Sequence, residues 1–298
     1  MSGRVRRDVP AWPVWMAPAA VAGTWAAGWV AGVVVVVGLA VRGADRIGAP
    51  ALLLIVAMTA AGGTAIVVVL AARVARPRPE AFGLRPVAPR LAAAGVLLGL
   101  VAVALCAAVA QLLGGALGSL PVPPELSEQS RWSQLLGDPD PTVVDPGADA
   151  ACSVLARALI GPLFGELLLR GFLLPILARR LGATVAVAVL APLTALTFAA
   201  AGEQPWLLLP GLALGVATCA LYLETGSIVP GAVVSASASG FVLGLAFRWG
   251  AGDAVLLGLA CGALAAGAGR LAAASGSGLQ SDVTWRSPSG SRATWPPR

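Results

Sequence analysis

The stretch FGELLLRGFLLPILARRLG, residues 164–182, decides the fold class because it places two charges inside an otherwise apolar helix. Glu166 and Arg170 are four residues apart, so both fall on one helical face, with the acid first, the favourable order for an ion pair. Each charge at the centre of a membrane helix costs about 2.5–3.5 kcal/mol. The pair therefore either neutralises itself and fixes helix packing, or it marks a site facing the interior of a bundle.

The rest of the chain is apolar enough to cross a membrane repeatedly. Hydrophobic residues make up 58% of the 298 residues and charged residues 11%, whereas soluble domains carry about 25% charged residues. We predict an all-α polytopic membrane bundle of about eight transmembrane helices. The predicted helices are residues 17–41, 49–72, 91–113, 148–177, 183–201, 206–223, 228–247 and 253–271.

The arginine distribution predicts the topology. With the N-terminus in the cytoplasm, the arginine-rich connections after the second, fourth and eighth segments fall inside and the acidic connection 114–147 falls outside. Only the link 42–48, with two arginines, departs from this pattern. Both termini are then cytoplasmic.

The composition also predicts the organisation and the source of the chain. Residues 1–147 hold three spans and an outer loop, 148–273 hold the core and the last helix, and the Ser/Gly/Pro-rich segment 274–298 is expected to be a disordered cytoplasmic tail. All twenty basic residues are arginine. Together with the Ala, Gly and Val bias, this is typical of a GC-rich genome and indicates a bacterial cell membrane.

Charge and metal-ligating residues exclude several classes of function. The net charge is +6, but the arginines flank apolar segments, so we expect contact with the lipid bilayer and not with nucleic acid. The chain has no histidine, and its four cysteines are scattered without metal-type spacing. We therefore expect no metal, no other cofactor and no disulfide framework.

The motifs that follow Glu166 resemble a known family. GELLLRGFLLPILARRLG at 165–182 is similar to the EExxxRG element of the CAAX-protease and bacteriocin-processing (CPBP) family of intramembrane endopeptidases. YLETGSIVPGAV at 222–233 is similar to the family's Tyr-x-x-Thr-Gly-Ser turn, and FGLRP at 82–86 to a short element before the core. The resemblance covers residues 82–247 and is strongest over 165–240. It implies an intramembrane peptidase scaffold.

The resemblance carries over at two of six polar positions. The second glutamate of the family's pair falls on Glu166, and the arginine falls on Arg170. The positions of the first glutamate, the two histidines and the asparagine are held by Gly165, Gly202, Ser235 and Ser239. The family's base and its imidazole groups are thus replaced by glycine and serine.

These replacements remove the groups that hydrolysis needs. Amide hydrolysis requires a base for the attacking water and a group that stabilises the oxyanion. A serine nucleophile requires a neighbouring His or Lys, and the chain contains neither. Glu203, one residue past Gly202, is a substitute carboxylate or a capping residue of a short outer loop. Ser235 and Ser239 share a helix face, which suits a polar cavity wall or close helix packing.

Three hypotheses about function follow. The leading one is a catalytically inactive relative that binds a membrane protein or a hydrophobic or prenylated peptide. The second is an active intramembrane endopeptidase with a site rearranged around Glu166, Arg170 and Glu203. The third is a structural or accessory membrane subunit that uses the ion pair only for packing.

Overall fold

The computed structural model describes residues 12–42, 49–74, 79–85, 87–117, 151–202, 208–246 and 251–278, and within these ranges it contains no strand. A short 3₁₀ helix, Pro79–Phe82, precedes the third of the long helices. These long helices are α1 (Met16–Val41), α2 (Ala49–Ala72), α3 (Pro89–Leu117), α4 (Ala151–Leu181), α5 (Ala183–Gly202), α6 (Leu208–Thr225), α7 (Val229–Ala246) and α8 (Ala251–Gly278).

The prediction of an all-α polytopic bundle is confirmed. Over the described residues, α1, α2, α4, α6 and α8 are long and apolar enough to cross a membrane. The other three helices contribute shorter apolar stretches, Pro89–Ala104, Ala183–Phe198 and Val229–Gly244. Helix α8 continues to Gly278, five residues into the segment assigned to the tail. Most of the predicted outer loop and the remainder of the tail lie outside the described residues.

Helix α4 lies at the centre of the bundle. It contacts α1 and α2 on one side and each of α5 to α8 on the others. None of its residues from 156 to 179 is exposed, whereas α1 turns Trp25 and Trp29 outward, each about 70% exposed. The polar face predicted for α4 therefore points into protein and not into lipid.

The backbone of α4 widens ahead of each of its two internal prolines. Two π-helical segments, Val154–Ile160 and Leu167–Leu173, each end two residues before a proline, Pro162 and Pro175. A proline lacks the N–H of the helical ladder, and its ring collides with the carbonyl four residues earlier. In both cases that carbonyl lies inside the π segment, where hydrogen bonds span five residues. The wider turn thus lets α4 continue through both prolines, and the second π segment contains Arg170.

One end of the bundle is closed by two glycine turns that pack together. Gly83, at a φ of 77°, accepts a 2.9 Å hydrogen bond from the Ile228 amide. The Ser227 hydroxyl donates to the Arg85 carbonyl at 3.0 Å. These two hydrogen bonds join the FGLRP element to the Thr-Gly-Ser turn, although Arg85 and Ser227 are 142 residues apart in sequence.

An aromatic cluster covers the same end. The rings of Trp12 and Phe172 have centroids 4.8 Å apart, and Phe82 stacks on Trp12 at 5.4 Å. A Cβ built on Gly171 would lie 2.6 Å from the Phe82 carbonyl oxygen. The segment 79–85 is thus held directly on α4, five residues from Glu166.

Candidate functional site in the centre of the bundle

The two charges of α4 form the predicted ion pair. Arg170 Nη1 lies 3.3 Å from Glu166 Oε1, and the two side chains are only 1% and 2% exposed. A buried pair stabilises a fold only when further hydrogen bonds satisfy its remaining polar atoms. The neighbours of each side chain therefore decide what the pair can do.

Arg170 reaches across to α5 and α6. Its Nη2 donates to Thr194 Oγ1 at 2.7 Å and, at the longer distance of 3.4 Å, to the Gly215 carbonyl. The Thr194 hydroxyl in turn donates to the Leu190 carbonyl at 2.9 Å, which orients its lone pairs towards the guanidinium. The buried thiol of Cys219 also interacts with Arg170. One arginine thus links three helices.

Two glycines on α6 allow α6 to pack closely against α5, beside the Arg170 side chain. Gly211 and Gly215 form a G-x-x-x-G face, a pattern that allows helix backbones to approach closely in membranes. A Cβ on Gly215 would lie 2.8 Å from the Ala191 Cα, and one on Gly211 would lie 2.7 Å from the Ala195 Cα. The carbonyl of Gly215 can therefore serve as a partner of Arg170.

Glu166 faces α7 on its other side. The Ser235 hydroxyl donates to Glu166 Oε1 at 2.9 Å. The second oxygen, Oε2, lies over Gly231, where a Cβ would come within 2.5 Å of it. Among the described residues Oε2 has no hydrogen-bond donor. The carboxylate thus has one oxygen occupied by two donors and one oxygen without any.

The four positions at which glycine or serine replaces a family residue differ in their distance from Glu166 and in their surroundings. Ser235 contacts Glu166 directly, and Ser239 lies one turn further along α7, half-buried. Gly165 is half-buried, and a Cβ built on it would meet no atom within 4 Å. Gly202 is the last residue of α5. Glu203, the candidate substitute carboxylate, lies outside the described residues.

Metal ligands do not converge in the described part of the chain. No group of three or more His, Cys, Asp or Glu side chains is found there. The absence of a metal and of a cofactor stays a prediction that experiment must test.

Part of the chain matches a family model. Residues 147–241 match the family model described as type II CAAX prenyl endopeptidase Rce1-like. This confirms the CPBP resemblance over that part of the chain, from before α4 into α7, which we call the Rce1-like segment. Comparisons with curated proteins and with solved structures give no match. The ion pair, Thr194, Gly215 and Ser235 all lie inside the Rce1-like segment.

Sequence reasoning missed several partners of the pair. Thr194, Gly215 and Gly231 are uncharged residues within apolar runs, where small side chains are common in membrane helices. The G-x-x-x-G pattern of α6 was the signal that would have indicated close packing of α6 on a neighbouring helix. Nothing in the sequence indicates that Arg170 turns towards α5.

Proposed function

We propose that this protein is a catalytically inactive relative of the Rce1-like endopeptidases that binds an apolar membrane partner. That partner is a membrane protein segment or a hydrophobic or prenylated peptide. The proposal combines the family match of residues 147–241 with the state of the one glutamate retained from the family's pair.

The observation that carries the proposal is that the charge of Glu166 is already compensated. Arg170 lies 3.3 Å from it, and Ser235 donates to the same oxygen. A general base must take a proton from water, which requires access and a free lone pair in line with the substrate. The oxygen without a donor, Oε2, belongs to a side chain that is 2% exposed.

The accessible positions support binding. Gly165, Ser235 and Ser239 remain half-buried, whereas Glu166 and Arg170 are sealed. These three replaced positions thus retain some accessible surface but carry no base. Such an arrangement keeps a place for a substrate-like molecule without the groups that would cleave it.

The test uses purified protein in lipid nanodiscs with two fluorescent peptides, one hydrophobic and one prenylated. Fluorescence anisotropy measures binding, and mass spectrometry measures cleavage. We expect at least one peptide to bind and no product from wild type or from Glu166→Gln. Product formed by wild type and abolished by Glu166→Gln would show that the enzyme is active.

A structural role is the second candidate, and the contacts of Arg170 with two further helices favour it. Arg170 joins α4, α5 and α6 through Thr194 and Gly215, which is sufficient to fix helix packing. If neither peptide binds to a stably folded wild type, this structural role replaces the binding proposal.

A further inference from the structure

The main chain of Arg85 is held in place by hydrogen bonds on both sides. Its amide donates to the Gly83 carbonyl at 2.9 Å, and its carbonyl accepts from the buried Ser227 hydroxyl at 3.0 Å. Ser227 Oγ also accepts from the Val229 amide at 3.3 Å, which ties this hydroxyl to the start of α7. The side chain of Arg85 therefore begins at a fixed point between the segment 79–85 and α7.

The guanidinium of Arg85 has no acceptor among the described residues. The residue is half-buried, and Nε is its one guanidinium nitrogen that is both buried and unpaired, so the Nη atoms retain accessible surface. Glu80, five residues earlier, forms no ion pair with it. A partly buried charge without a counter-charge costs free energy. The Nη atoms of Arg85 thus need an anion from outside the described part of the chain.

The end of the bundle around Arg85 carries an excess of positive charge. Helix α8 ends there, because Gly269 packs against Val229 at the start of α7. Helix α4 ends there too, beyond the contact of Phe172 with Trp12. The charged residues at this end include five arginines and two glutamates, namely Arg85, Arg90, Arg179, Arg180, Arg270, Glu80 and Glu224. A positive excess beside a membrane attracts anionic lipid headgroups.

Arg85 lies at the edge of the apolar layer of the bundle. Helix α7 has 18 residues, a length of about 27 Å at 1.5 Å per residue, close to the bilayer core of about 30 Å. It begins two residues after Ser227, the partner of Arg85. The apolar stretch Pro89–Ala104 of α3 begins four residues after Arg85. Lipid phosphates lie just outside the hydrocarbon core, at the level of this guanidinium.

We propose that Arg85 binds the phosphate of an anionic phospholipid and that the neighbouring arginines select lipids with a net negative headgroup over zwitterionic ones. A guanidinium presents its N–H groups as a fork that matches phosphate oxygens. The acyl chains of the same lipid would lie along the outer face of α3, where Leu97 is exposed. This inference does not depend on the binding function proposed above.

The experiment titrates full-length protein in detergent with phosphatidylglycerol or with phosphatidylcholine of the same acyl chains, and native mass spectrometry measures the affinity for the first lipid. Wild type should bind phosphatidylglycerol about tenfold more tightly. Arg85→Gln should remove most of this preference. Arg90→Gln is the matched control, because it removes the same charge from an exposed arginine at the same end. It should change the affinity by less than about twofold.

Two outcomes of this titration would overturn the site. Equal affinity of wild type for the two lipids would mean that the headgroup charge is not recognised. Equal losses in Arg85→Gln and Arg90→Gln would mean that the attraction is spread over the surface and has no specific site. If Arg85→Gln does not fold, Arg85→Lys replaces it. That variant keeps the charge without the fork and should bind phosphatidylglycerol more weakly than wild type, whereas unchanged affinity would contradict the proposal.

Competition distinguishes the lipid from other sources of an anion. We expect neither inorganic phosphate nor an apolar peptide with a free C-terminal carboxylate to displace the first phosphatidylglycerol, because neither combines a phosphate with acyl chains. Displacement by inorganic phosphate would assign the site to a soluble phosphate. Displacement by the peptide would assign it to a peptide carboxylate, and either result would replace the lipid proposal.

Discussion

At the scale of single residues, the molecule depends on two charges buried in an apolar bundle. Glu166 and Arg170 are each at most 2% exposed, and they neutralise one another across 3.3 Å. Removing one partner of such a pair leaves an uncompensated buried charge, whereas replacing both with apolar residues can be nearly neutral. The stability of the bundle should therefore respond differently to single and double substitutions.

We predict that Glu166→Leu and Arg170→Leu each destabilise the protein by about 3–5 kcal/mol. The double variant should recover most of that loss, because no unpaired charge remains. Thermal unfolding of detergent-solubilised protein measures all three. A double variant less stable than either single one would show that the pair is not the main source of the effect.

The close approach of Glu166 to Gly231 leads to a second prediction about a single residue. Alanine is the better helix former by about 1 kcal/mol, but a Cβ here would lie 2.5 Å from Glu166 Oε2. Gly231→Ala should therefore lower the unfolding temperature. Gly267→Ala, in open space on α8, should leave it unchanged or raise it. Equal behaviour of the two variants would mean that Glu166 does not rest on Gly231.

At the scale of elements, α4 shows what the sequence could and could not predict. The charges of Glu166 and Arg170 in an apolar run predicted a helix with an inward polar face, because lipid does not tolerate them. The π segments were not predicted, although each precedes a proline that the sequence shows, Pro162 or Pro175; hydrophobic content alone is the same for either helical geometry. The partners of Arg170 on α5 and α6 were hidden for a related reason, because Thr194 and Gly215 carry no charge.

The contact between α4 and the segment 79–85 gives an element-scale prediction. A Cβ at Gly171 would lie 2.6 Å from the Phe82 carbonyl oxygen, and backbone atoms cannot yield as a flexible side chain can. Gly171→Ala should displace the segment and increase cleavage after Glu80 by a glutamate-specific protease, because the arginine of this segment, Arg85, precedes a proline and resists trypsin. Gly165→Ala, where the added methyl meets no atom within 4 Å, is the control and should keep the wild-type cleavage rate. Cleavage at the same rate in both variants would contradict the contact.

At the scale of the whole molecule, the packing agrees with helices of alternating direction. The segment 79–85 precedes α3 and contacts the turn before α7, so α3 and α7 start at the same end of the bundle. Trp12, just before α1, joins that end through Phe82. With an even number of spans, α8 would end at the same end of the bundle at which α1 starts.

We therefore predict eight spans with both termini in the cytoplasm, as the arginine distribution requires. Fusions of an alkaline phosphatase reporter within residues 118–150 should be active outside the cytoplasm. Fusions of a fluorescent reporter after Arg298 should be bright inside. A phosphatase fusion at 118–150 that is well expressed but inactive would contradict the predicted topology.

The position of Arg170 on the same helix as Glu166 has a consequence for biosynthesis. A nascent chain is delivered N-terminus first, so α4 reaches the membrane before the helices that carry Thr194, Gly215 and Ser235. A lone carboxylate would then face lipid with no partner. Because the arginine follows one turn later, α4 carries its own counter-charge during insertion, and the later helices complete a pair that already exists.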